Sequence, residues 1–256
     1  MRPLALVTGA TTGIGRMFSE RLAARGHDLL IVARTAARLE DVARELAEKY
    51  AVKAEPFPAD LARDDEIDRL EARVRGGPPL AFLVNNAGFG IEGKLAVCDP
   101  APQAAMLHLH TLAPMRLAHA ALPGMLERRA GAIVNVSSVA SFIYAPGNAN
   151  YSATKAYLTV FSEGLAGEVA ELGIQVQALC PGFTRTKFHD SMGLDAAKLH
   201  QRPMWLSAEY VVDCSLRSLD RRGPVVCIPD WRYRVLVGLI RIVPRRLIGV
   251  VTRRGR

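Results

Sequence analysis

The chain has 256 residues, half of them apolar, and a net charge of +8. That is enough to bury the core of one α/β domain or two small ones, and no repeat or low-complexity tract breaks it up. Its four cysteines, Cys98, Cys180, Cys214 and Cys227, form no C-x-x-C pair and are expected to be free thiols in a reducing cytosol. No apolar run reaches the ~18 residues of a spanning helix. Met1-Arg-Pro leads straight into a strand-like run without the apolar region of a signal peptide, so a cytoplasmic protein is expected. The positive charge is concentrated at one end. Residues 230–256 hold eight arginines against Asp230, a net +7, which leaves +1 for everything before them.

Leu4–Thr8 is a short apolar run ending in Gly9-Ala-Thr-Thr-Gly13-Ile-Gly15. An amphipathic stretch with Met17, Phe18, Leu22 and Ala23 follows, stopped by Gly26. Strand, glycine turn and helix in that order place backbone N–H groups and a helix N-terminus where an anion can sit. Thr8, Gly9, Thr11, Thr12, Gly13, Ile14 and Gly15 are therefore candidate nucleotide-phosphate residues. The spacing is G-x-x-x-G-x-G rather than the commoner G-x-G-x-x-G.

Asp28–Ala33 reads as the second strand. Sites for NAD usually place a carboxylate just past this strand, on the ribose hydroxyl. Here Arg34 follows, with Arg38 one turn further on. Guanidinium groups suit a 2′-phosphate, so NADP(H) is expected in preference to NAD(H). Residues 36–49 carry a helical pattern. Val52–Pro58 is a third strand with two prolines, followed by Asp60-Leu61. A helix from about Asp64 to Val74 breaks at Gly76-Gly-Pro-Pro79, and the apolar run Leu80–Val84 ends in Asn85-Asn-Ala-Gly88. Strands alternating with helices at this spacing argue for a parallel, doubly wound sheet.

A long helix is expected from about Pro100 to Arg129. Ala132–Val136 is the next strand and delivers Ser137-Ser138 to its carboxyl end. After a loop rich in Gly, Pro and Asn, a helix runs from Tyr151 to about Leu172, and Ile174–Leu179 closes at Cys180-Pro-Gly182. Tyr151 and Lys155, four apart, stack on one helix face. A pair of that kind is ordinarily a surface contact. It also has a chemical use, because an ammonium about 4 Å from a phenol favours the phenolate by roughly three pKa units. The phenol is then expected to titrate near ~7, where a general acid/base works best. Every residue proposed for chemistry falls at one edge of the sheet, where crevices form in this architecture.

Thr8-Gly-Ala-Thr-Thr-Gly-Ile-Gly15, Asn85-Asn-Ala-Gly88, Ser138, Tyr151-x-x-x-Lys155 and Pro181-Gly182 appear in that order. In this the chain resembles the short-chain dehydrogenases/reductases, over residues 4 to about 186. The resemblance implies a Rossmann-like sheet of about seven strands; the expected organisation is a catalytic domain over 1–229, with 230–256 set apart by its composition as a basic amphipathic tail. The resemblance also implies hydride transfer from NADPH to a carbonyl carbon. Tyr151 would protonate the oxygen, Ser138 would orient it, and Lys155 would lower the phenol pKa and bind the nicotinamide ribose. Ser137 is the less favoured serine. The resemblance further implies Asp60 and Leu61 near the adenine, with Asn86, Ala87 and Gly88 steadying the cofactor. Pro181, Gly182, Thr184 and Thr186 are placed on the nicotinamide side. The family usually has an asparagine in a proton relay where this chain has His110, which is a candidate catalytic residue on that ground. No metal site is expected, since His108 and His110 face apart on a helix.

Residues 183–206 carry Phe183, Phe188, Met192, Leu194, Met204 and Trp205, and read either as a flap over a greasy pocket or as a short packed helix. The flap reading implies a lipophilic substrate, a ketoacyl chain, steroid or similar ketone. The tail mixes Trp231, Tyr233, Leu236, Leu239 and Ile240 with arginines. It could dock on the domain or a second subunit, or lie on an anionic membrane surface; nucleic acid is not expected. A homo-oligomer of two or more chains is expected. Two rivals to a working reductase are a nucleotide-binding sensor without turnover and a membrane-peripheral scaffold.

Overall fold

Successive residues of a strand point to opposite faces, and along Leu4–Thr8 both faces are apolar, as a strand covered on both sides requires. The computed structural model, which describes residues 2–91, 93–143, 146–186 and 204–242, makes this run an interior strand, β1. Six more strands join it in parallel: β2 (Asp28–Ala33), β3 (Ala54–Pro58), β4 (Leu80–Asn85), β5 (Gly131–Val136), β6 (Ile174–Leu179) and β7 (Val226–Cys227). The order across the sheet is β3-β2-β1-β4-β5-β6-β7. The prolines of β3 are accommodated because β3 is an edge strand, where missing ladder donors cost little.

Helices α1 (Gly13–Ala24), α2 (Ala36–Tyr50) and α7 (Ala208–Asp220) lie against one face. There Phe18, Leu22, Leu39, Leu46 and Val211 meet the β1 residues Ala5 and Val7. Helices α3 (Asp64–Gly76), α5 (Ala113–Arg128) and α6 (Ala149–Val169) cover the other, where Ile67, Leu70, Leu117 and Leu165 meet Leu6 of the same strand. Burying a side chain of this size contributes about 1.5–3 kcal/mol, so the two apolar layers carry the fold. The sheet order reverses direction between β1 and β4, which opens a crevice at their carboxyl ends.

The expected long helix from Pro100 is not uniform. It runs as α4 (Pro100–Leu107), a π turn over His108–Leu112, and then α5. The extra residue in a π turn re-aims the side chains it carries, and His110 is one of them. Residues 183–206 include a parallel bridge between Thr184 and Leu206; Phe188, Met192 and Leu194 of the expected flap lie outside the described residues. The last helix among the described residues, α8 (Trp231–Ile242), packs on the body through Tyr233 and Val237. No helix among the described residues is long and apolar enough to cross a membrane.

Candidate active site

The glycine turn joins β1 to α1 at the mouth of the crevice. Gly15 must lack a side chain, because a Cβ there would fall 2.2 Å from the Gly9 carbonyl oxygen. The Thr12 side chain makes no capping bond to α1, which leaves the first backbone N–H groups of that helix for an anion. Thr11, Thr12, Gly13, Arg38, Thr186 and Ser207 are among the residues around a cleft of about 570 Å³ beside this turn. Arg34 and Arg38 are both exposed, and neither has an acidic partner among the described residues. A site of free cations, threonine hydroxyls and helix amides fits a nucleotide phosphate.

Two of the residues assigned to the nucleotide brace the turn with their side chains. The Thr8 hydroxyl donates to the Val84 carbonyl at 3.3 Å and accepts the N–H groups of Asn86 and Ala87 at 2.9 and 3.0 Å. The Asn86 amide donates back to the carbonyls of Thr8 and Gly9 at 2.9 and 3.3 Å. Leu61 is buried in the apolar layer under α3, α5 and α6, and the Asp60 carboxylate accepts the Ala62 N–H at 3.1 Å. On the opposite side the Thr184 hydroxyl donates to the Gly182 carbonyl at 3.0 Å, while Thr186 sits against Gly13.

The carboxyl end of β5 and the first turns of α6 bring Ser138, Tyr151 and Lys155 together. The Tyr151 phenol faces the Ser138 side chain closely enough for that hydroxyl to lower its pKa, while Ser138 Oγ accepts the Ala140 N–H at 3.1 Å. The Lys155 ammonium donates to the Val136 carbonyl at 2.9 Å and lies 5.8 Å from the Tyr151 ring centroid. Ser137 points elsewhere: it is buried, donating to the Lys155 carbonyl at 2.7 Å and bonded to Thr159 at 2.8 Å, which fastens α6 to β5. A second polar chain runs from Asn85 through Asn135 to Ser162, at 2.8 and 2.9 Å, and joins β4, β5 and α6 through the core.

The acidity differs from the sequence expectation. Burial pushes the phenol up to about 12 rather than down towards ~7, and the Ser138 hydroxyl beside it offsets only part of this. The same burial pushes Lys155 down to about 8, opposed by the nearby Cys180 thiol. The low dielectric that strengthens the attraction also penalises each charge, and here desolvation is the larger effect.

His110 is 1% exposed, and both its ring nitrogens are engaged. Nε2 accepts the Phe89 N–H at 3.2 Å, so Nδ1 carries the proton and donates to Thr154 Oγ1 at 3.0 Å. Thr154 in turn donates to the Tyr151 carbonyl at 2.8 Å. Burial, then the Lys155 charge, hold the imidazole pKa well below its ordinary 6.5. His110 is therefore a neutral clamp between the turn after β4 and the helix that carries Tyr151. Sequence reasoning missed Thr154, Asn135 and Ser162; the signal available was a polar residue in an apolar strand, Asn135 in Ala-Ile-Val-Asn-Val.

A family model described as short chain dehydrogenase matches residues 3–196. The chain belongs to that family. Relatives of the short-chain dehydrogenase include proteins named very-long-chain 3-oxoacyl-CoA reductase. The one from Bos taurus is 33% identical over 249 residues, 90% of this chain and 76% of the relative. The one from Anas platyrhynchos is 36% identical over 189 residues, 72% of this chain, and the match spans 60% of that relative's length. Among solved structures, a short-chain dehydrogenase from Sphingobium yanoikuyae in complex with NADPH is 35% identical, with a TM-score of 0.84 over 95% of this chain and 97% of that one. The bulky-bulky ketone specific alcohol dehydrogenase from Comamonas testosteroni is 34% identical, with a TM-score of 0.79 over 95% of both chains. Members of the family use NAD(P)(H).

Proposed function

We propose that this protein is an NADPH-dependent reductase of a lipophilic carbonyl, a bulky ketone or a 3-ketoacyl group. The observation that carries the reading is the grouping of Tyr151 and Ser138 at the carboxyl edge of β5, with the Lys155 ammonium 5.8 Å from the Tyr151 ring centroid. The names of the bovine and Comamonas relatives support the substrate class. Arg34 and Arg38, two exposed guanidinium groups past β2, support NADPH over NADH.

Bound NADPH supplies a hydride. Ser138 and Tyr151 donate hydrogen bonds to the substrate oxygen, which fixes the carbonyl and stabilises the charge that gathers there. Tyr151 then hands over its proton. A phenol near 12 is a competent acid for this step because an alkoxide is about as basic as hydroxide, its conjugate acid having a pKa of ~15.7. The transfer is downhill by roughly 4 pKa units, or about 5 kcal/mol. Lys155, mostly charged at neutral pH, offsets the charge left on the phenolate. His110 keeps Tyr151 in place and stays neutral.

The test is NADPH oxidation across 3-oxoacyl thioesters of rising chain length and ketones of graded bulk, with NADH as the control. Turnover that improves with apolar size supports the assignment. No turnover of any carbonyl, in a protein that binds NADPH, would favour the non-catalytic sensor.

A further inference from the structure

Helix α8 buries one side and leaves a continuous apolar stripe on the other. Trp231, Val235, Leu239 and Ile242 are each between 53% and 81% exposed. At about 100° per residue they fall within one narrow arc, opposite the buried Tyr233 and Val237. The only charged groups of the helix are arginines. Arg232 is paired with Asp230 at 2.9 Å, while Arg234 and Arg241 lie along one flank of the stripe. The sequence beyond Ile242 adds Arg245, Arg246, Arg253, Arg254 and Arg256 and no acid. A second copy brought to this face would set arginines against arginines, whereas an anionic surface complements them.

We propose that α8 seats the protein on the surface of an anionic lipid bilayer, with Trp231, Val235, Leu239 and Ile242 in the acyl boundary and the arginines among the headgroups. An apolar stripe combined with a polybasic segment supplies the two signals that stable peripheral binding needs. The contact also reaches the candidate site. The Tyr233 hydroxyl accepts the Phe183 N–H at 3.0 Å and donates to the Met204 carbonyl at 2.8 Å. Its ring occupies the space where a Cβ of Gly182 would stand, 2.0 Å away. Arg241 stacks at 4.9 Å on Phe142, in the turn that Ser138 opens. The seated face and the catalytic edge are thus two sides of one packed unit. The surface assignment stands on α8 and the basic sequence that follows it, and does not depend on the reductase reading.

The experiment is flotation of the full chain with vesicles of phosphatidylcholine alone or with about one-third phosphatidylserine. Binding at least about tenfold stronger to the anionic vesicles is expected, falling as salt rises from about 0.1 to 0.5 M. Trp231 fluorescence should shift to the blue on binding, a change missing in Trp231→Phe. Trp231→Ser/Leu239→Ser and, separately, Arg234→Glu should each lose about tenfold, with an unchanged melting temperature showing that they fold. Equal flotation on both vesicle types, none on either, or full binding by both variants would overturn the proposal. A dimer that the double serine variant splits, in a protein that ignores vesicles, would assign the face to a second copy instead.

Discussion

His110 Nδ1 lies 3.0 Å from Thr154 Oγ1, three residues along the helix from the tyrosine proposed as the acid. Through Thr154 and its bond to the Tyr151 carbonyl, the histidine sets the height of α6 against the turn that follows β4. His110→Asn, shorter but able to donate and accept, should retain a larger share of kcat than His110→Ala. A positioning role lowers kcat with little change in the KM for NADPH. Equal activity of the alanine variant would remove the role. Because the imidazole pKa is depressed, the unfolded chain binds the extra proton below about 6.5. Stability therefore falls as pH drops through and below that value, by up to about 1.4 kcal/mol per unit. His27 is shifted in the same direction, so the test is the difference between wild type and His110→Asn in melting temperature from pH 7 to 5. The variant should show the shallower decline.

Tyr151→Phe removes the proposed proton donor while keeping the ring. General acid catalysis contributes roughly 10²–10⁴ in rate, and a loss of that size is expected with NADPH affinity within about threefold of wild type. Stopped turnover assays and cofactor fluorescence titration measure the two separately. A variant with a tenth or more of wild-type turnover would take the acid role away from this residue.

Lys155 gives the pH dependence its sign. Its ammonium, pushed down to about 8, is charged below that pH and neutral above it. Reductive kcat/KM should be flat from about pH 6 to 7.5 and then fall as pH rises through about 8, with a limiting slope of one decade per unit. The phenol, near 12, stays protonated across the same range and cannot be the cause. In Lys155→Arg, always charged, the fall near 8 should vanish even though the rate is lower. A fall that persists unchanged in that variant would point to another group.

Arg34→Ala should weaken NADPH by roughly tenfold to a hundredfold, the worth of one charge-assisted hydrogen bond, and leave NADH nearly unchanged. Isothermal titration with the two cofactors decides it. Equal losses would mean that the guanidinium does not read the 2′-phosphate.

The architecture was legible because its signals are local. The apolar runs at Leu4–Thr8 and Leu80–Val84, the glycine turn and the Tyr151/Lys155 spacing each announce themselves within a few residues. What was not legible depends on contacts made across the fold. The phenol pKa follows the desolvation of Tyr151 by residues from several elements, which the lysine four residues on does not reveal. The π turn at His108–Leu112 hides in a helical pattern whose apolar period it barely disturbs. Strand β7 is two residues long, too short to show alternation. Tyr233 looked like one more aromatic of the tail, because its hydrogen-bond partners stand 50 and 29 residues away in sequence.

That one tyrosine has a practical consequence. By pinning Phe183 and Met204 to the same oxygen, it fixes the gap between two points of the chain whatever sequence joins them. A change in the length of sequence between those anchors should therefore leave the positions of Phe183 and Met204, and the sheet behind them, as they are.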